Sequence, residues 1–226
     1  MRLHFSFSIL TLQYKVLFIM EKHEEQLKAI QEMRNLMDQA SRFKSISGLA
    51  GILAGILSFS SVALAHGLTG ISPFEAHALD RIWQSENQYT IAMIFLGLFI
   101  LCVLIGIYLS KRNARQAGKI AWANAAKRLT WSLAIPVLAG GIFALLLIRM
   151  GLVELAAPVT LLFYGMGLLS SSKYTLDAVR TVGLLFMLLG LIATIFLEYG
   201  LLIWTAGFGL VHVAYGFIIY VQNERV

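Results

Sequence analysis

Six stretches of this chain contain no Asp, Glu, Lys or Arg: residues 46–65, 90–109, 129–148, 155–170, 181–197 and 201–220. A helix needs about 20 apolar residues to cross a hydrocarbon core of ~30 Å. Within that core every backbone N–H and C=O must be bonded inside the segment, which leaves the helix as the natural fold of a single apolar stretch. Stretch 155–170 is short and is expected to extend through Ser172. Charged residues make up 13% of the chain, against roughly a quarter in soluble domains. The sequence therefore predicts an all-α polytopic membrane protein with six transmembrane helices.

Basic residues choose the sides. Arg42 and Lys44 precede the first stretch. Lys111, Arg112, Arg115, Lys119, Lys127 and Arg128 separate the second from the third, and Lys173 and Arg180 separate the fourth from the fifth. The opposite connections hold only Arg81 and Arg149. Threading the six spans alternately puts every basic segment on one face, so the positive-inside rule places both termini in the cytoplasm of a plasma (inner) membrane. Tyr89, Tyr108, Trp131, Trp204 and Tyr220 lie at the expected interfaces. The basic loop contains Trp122, but its place beside two spans points to anionic lipid at the cytoplasmic face and not to nucleic acid.

Residues 20–45 read differently. Ala29, Ile30, Met33, Leu36, Met37, Ala40 and Phe43 fall on one arc of a helical wheel at 100° per residue, and charged or amide side chains cover the rest. This predicts an amphipathic cytoplasmic helix that lies on the membrane, packs on the bundle or pairs with a partner. Residues 1–19 break the pattern. Arg2 and an apolar run imitate a signal peptide, but Gln13, Tyr14 and Lys15 interrupt the run and no small-residue cleavage site follows. They read as an upstream extension, with Met20 as the natural start and residues 46–226 as the transmembrane domain.

Ser47, Gly51 and Gly55 form a small-xxx-small ladder at the head of the first span. Such ladders let two helix backbones approach closely. Packing inside the monomer is one reading, and a homodimer seam is the other. In the loop after the first span, Ser72, Pro73 and Glu75 have capping-box spacing. A short helix carrying Phe74, Ala78 and Ile82 on one face is expected there, with Trp83 as an interfacial anchor.

The blocks "EKHEEQLKAIQEMRNLMDQASRFKSISGLAGILAG" (21–55) and "LVELAAPVTLLFYGMGLLSSSKYTLDAVR" (152–180) resemble an uncharacterised family of bacterial six-span integral membrane proteins. With "IPVLAGGIFALLLI" and the Gly-rich last span, the resemblance runs from about Met20 to the end. Some members carry an automatic carotenoid-cleaving monooxygenase label, but the resemblance implies no catalytic residue at any position.

Membrane oxygenases of the iron type need several His ligands converging on a metal. Five His are present, and no HxxxH or HxxH pair occurs. His66 and His77, with Glu75 or Asp80, form the one conceivable metal group on the outer side. His212 is the only ionisable ring deep in a span, where such groups mark function or are satisfied by one neighbouring helix. Tyr164, Thr194 and Tyr215 are its candidate partners. Pro136, Gly140 and Gly141 are placed to bend the third span or to accommodate a neighbour. No phosphate loop, nucleophile elbow, CxxC or pair of intramembrane carboxylates occurs, so no catalytic residue and no cofactor are predicted. The expectation is a non-enzymatic scaffold or regulatory membrane component, with a transporter or channel for a neutral or apolar solute as the alternative. The sparse His disfavour an oxygenase.

Overall fold

The structure is a computed structural model that describes residues 47–116 and 122–223, together with His23, 26–28, Ile30, Gln31 and Met33. The predicted extension and most of the predicted amphipathic helix lie outside the described residues. The chain divides into two units, Met1–Arg42 and Phe43–Val226. In the first, the described residues are helical, and Leu27, Ile30 and Met33 are exposed.

The second unit is all-α among its described residues. Six helical segments are long and apolar enough to cross a membrane: Gly48–Thr69, Gln88–Arg112, Ala126–Arg149, Val153–Tyr174, Asp177–Ile195 and Leu197–Gln222. The chain is a multi-pass membrane protein. The apparent shortness of the fourth span disappears in the fold. An α-helix over Ala156–Ser171 is flanked by 3-10 turns at Val153–Leu155 and Ser172–Tyr174, and together they reach membrane length. Two glycines stop spans at the end that carries the 70–87 loop, here called the loop end. Gly70, at φ 72°, caps the first span and donates its N–H to the His66 carbonyl. Gly151, at φ 80°, follows the third. Both adopt the left-handed conformation that glycine takes without a Cβ clash.

The first span packs against the sixth and the second, and the fourth packs between the third and the fifth. The sixth span joins the two groups by touching the fourth and fifth. Gly48 and Gly51 lie against Gly216 and Tyr220 of the sixth span, and Gly55 lies against Gly209 and Val213. A Cβ added at Gly48 would collide with the Tyr220 backbone nitrogen, and one at Gly216 with the Ile52 nitrogen. The ladder is thus spent on a contact inside the chain, beside the buried Ser47. The fourth and fifth spans repeat the device at Gly165 and Gly183. Helices meet through small residues because lipid offers as apolar a surface as leucine does, so close backbone packing decides association.

The third span stays helical through Pro136. Gly140 there makes room for Phe163 of the fourth span, while Gly141 faces open space. Ser132 and Ser170 bond across the same two helices at 2.8 Å.

The short loop helix departs from expectation. It runs from Ala78 to Trp83, six residues after Ser72. Half of the capping box forms: Ser72 N–H donates to Glu75 Oε1 at 2.8 Å, while the Ser72 hydroxyl accepts from Phe74 N–H at 3.3 Å and Glu75 N–H donates to the Ser72 carbonyl at 3.1 Å. They close a turn and not a helix, because His77 takes a positive φ of 59° between the turn and the helix. Phe74 is consequently 71% exposed, whereas Ala78 and Ile82 are buried. Those two join Val62, Ala65, Ile71, Ile91 and Leu201 in a core at the loop end.

Candidate functional site

The sixth span is not one regular helix. An α-helix over Gly200–Thr205 widens into a π-helical turn over Ala206–Val211 and resumes as an α-helix from His212 to Asn223. The widened turn reads AGFGLV. Its small residues admit neighbours on two sides: Gly207 faces Leu161, and Gly209 faces the Phe59 ring. π-turns inside α-helices are frequent at functional sites.

The π-turn delivers His212 to the centre of an aromatic cluster. Phe208 stacks on the His212 ring, with centroids 5.7 Å apart and planes at 12°. Trp204 lies 4.8 Å from Phe208, so the sixth span contributes rings at 204, 208 and 212. The fourth span contributes Tyr164, and the fifth contributes Phe186, which is wholly buried. Phe186 meets Tyr164, Phe208 and His212 edge-on at 4.8, 5.1 and 5.2 Å. Edge-to-face pairs at these distances set the positive rim of one ring against the negative face of the next.

One hydrogen bond crosses this cluster. Tyr164 Oη and His212 Nε2 are 2.8 Å apart. Among the three candidate partners of His212, the fold selects Tyr164. Thr194 instead donates to the Gly190 carbonyl of its own helix. Tyr215 Oη and His212 Nδ1 are both buried without a hydrogen-bond partner. The Gly207 carbonyl, five residues back, approaches the His212 ring without meeting hydrogen-bond geometry at Nδ1.

The second constellation lies at the loop end and centres on His77. Its backbone N–H donates to the Glu198 carbonyl at 2.7 Å, in the connection between the fifth and sixth spans. Its Nδ1 is 2.6 Å from Glu154 Oε1, in the connection between the third and fourth. Asn87 Nδ2 donates to the Leu68 carbonyl at 3.0 Å across the base of the same loop. The Glu154 carboxylate, through this hydrogen bond and then its charge, raises the His77 pKa above its ordinary value. Glu75 is held below the usual carboxylate range, first by the Ser72 N–H and then by Arg81, with which it forms an ion pair.

The residues considered for a metal are engaged separately. His66 Nδ1 bonds the Ile71 carbonyl at 3.0 Å, His77 bonds Glu154, Glu75 bonds Arg81, and Asp80 accepts from Gln84 at 2.7 Å. No group of three or more His, Cys, Asp or Glu side chains disposed to hold a metal ion occurs among the described residues. Glu154 and Glu198 were not singled out by sequence, since nothing local marks the carboxylate of one and the backbone carbonyl of the other, 44 positions apart, as partners of one residue. The ring spacing 204, 208, 212 was readable as a helical stripe, but its continuation to Tyr164 and Phe186 was not.

Comparison with protein-family models, with curated proteins and with solved structures gave no match.

Proposed function

We propose that this chain is a non-enzymatic component of the plasma (inner) membrane that serves as a scaffold or regulatory partner, with both termini in the cytoplasm. The observation that carries the reading is the fastening of three connections at His77. One residue ties the 70–87 loop to Glu154 and to Glu198, so the loop end is held as a unit. A scaffold needs its connections kept together, and this fastening supplies that. The interior supports the same reading. The six stretches carry no Asp, Glu, Lys or Arg, the residues that ion-coupled transport would ask for. The cytoplasmic face then presents the 20–45 segment to partners and the basic connections to anionic lipid.

The test is permeation by reconstituted protein. Proteoliposomes carrying the chain are expected to swell in glycerol or urea no faster than empty liposomes. Faster swelling would replace the scaffold with a neutral-solute channel. Metal analysis of the same preparation addresses the oxygenase: iron at one equivalent per chain would overturn the non-enzymatic reading.

A further inference from the structure

We propose that Tyr164, His212 and Tyr215 form an intramembrane binding site for an uncharged, lipid-soluble molecule that carries a hydrogen-bond-accepting carbonyl. The inference goes beyond the scaffold reading and does not depend on it.

It starts from two polar atoms. His212 Nδ1 and Tyr215 Oη are closed off from solvent and have no partner. In water such groups would be solvated, but at the depth of a bilayer nothing in the lipid replaces those bonds. The two residues are three positions apart on the α-helix that follows the π-turn, so they share one side of it. The Tyr164 hydroxyl is bonded to the far nitrogen of the same imidazole at 2.8 Å. Two spans thus bring polar atoms together: the fourth through Tyr164, and the sixth through His212, with Tyr215 on the same side of that helix.

The hydrogen positions define the ligand. Tyr164 has no other acceptor for its proton among the bonds of the described residues, so its O–H donates to Nε2. The imidazole then carries its own proton on Nδ1. Nδ1–H, which the Gly207 carbonyl approaches without completing a hydrogen bond, and the Tyr215 O–H are left as donors, and a carbonyl oxygen is the acceptor that suits two donors. The stretches bring no Asp, Glu, Lys or Arg to this depth, so a charged ligand would have no counter-ion.

The second span supplies the approach. Its inward stripe is buried at the two ends, at Ile91 (5% exposed) and Leu109 (8%). Between them, Ile94, Leu98, Cys102 and Ile105 are only half-buried. The stripe is closed at its two ends and less covered between them. A ligand arriving through the acyl chains has an apolar body for the same reason.

A benzoquinone with a decyl tail is a suitable probe, and Trp204 is the reporter because its ring lies 4.8 Å from Phe208, which stacks on His212. The protein carries Trp83, Trp122 and Trp131 as Phe and is placed in phosphatidylcholine nanodiscs. Saturable quenching of Trp204 emission is expected. Tyr215→Phe should weaken apparent affinity roughly five- to tenfold, the loss that goes with one buried hydrogen bond. Decylbenzene, which lacks the carbonyls, should not compete. Because Tyr215 Oη has no partner in the protein, Tyr215→Phe should leave the ligand-free melting temperature unchanged or higher. Non-saturable quenching, or equal quenching in Tyr215→Phe, would mean partition into lipid alone and would overturn the site. A lower ligand-free melting temperature for Tyr215→Phe would place the hydroxyl in a bond within the protein, and that too would overturn it.

Discussion

His212 and His77 are the same residue type in opposite settings. His212 is held by one phenol inside the bundle, and removing the imidazole strands the Tyr164 hydroxyl. His212→Leu is expected to lower stability in detergent by about 0.5–1.5 kcal/mol, in the range of interhelical hydrogen bonds. His212→Gln, which can still bond the phenol, should recover most of the loss. Thermal melts of the two variants beside wild type check this. His77 is 61% exposed and faces Glu154, Glu198 and Asp80. Its folded pKa lies above the ordinary imidazole value of 6.5, so folding favours the charged form. The stabilisation is fully present below pH ~6.5 and is lost as pH rises through the higher folded value. Glu154→Gln should therefore melt below wild type near pH ~6, with the gap closing by pH ~9. A constant gap across that range would show that the pair's charge contributes nothing.

At the scale of elements, glycines divide into those that hold helices together and those that only fill a helix. Gly216 faces the backbone of the first span, and Gly51 faces Gly216 in return. Gly216→Ala is expected to cost about 1–3 kcal/mol by overpacking, and Gly51→Leu more, because backbone atoms cannot rotate aside. Gly141 sits in a helix where an added Cβ would meet nothing within 4 Å. Gly141→Ala should be neutral or stabilise by up to about 1 kcal/mol, the helical advantage of alanine. Equal effects at Gly216 and Gly141 in detergent melts would contradict the packing of the first span on the sixth. The capping box shows the same division. Its local bonds form around Ser72 and Glu75, yet the helix begins only at Ala78, because His77 turns away to reach Glu154 and Glu198.

For the whole molecule, the distribution of basic residues sets the expected topology. Reporter fusions at Ser85 and Gln116 should report opposite sides of the membrane, outer and cytoplasmic respectively. The same side for both would end the six-span alternation, and a swap of the two would invert the assignment of the termini.

The sequence by itself determined the six spans and their all-α character. A bilayer offers no partner to a free N–H or C=O, so an uncharged stretch of sufficient length must satisfy its backbone locally, and composition alone reveals it. Even the short fourth stretch carried its answer in the residues that flank it. The glycine ladder was visible as a close-contact surface, but its occupant was not, since small residues fit a second copy as well as the sixth span. Only the tertiary structure decided that pairing, together with the choice of Tyr164 for His212 across 48 positions and the tie from His77 to two distant loops. It also decided the π-turn, which no residue of AGFGLV demands on its own. Contacts of this kind depend on shape and register between helices remote in the chain, and periodicity within one helix carries no record of them.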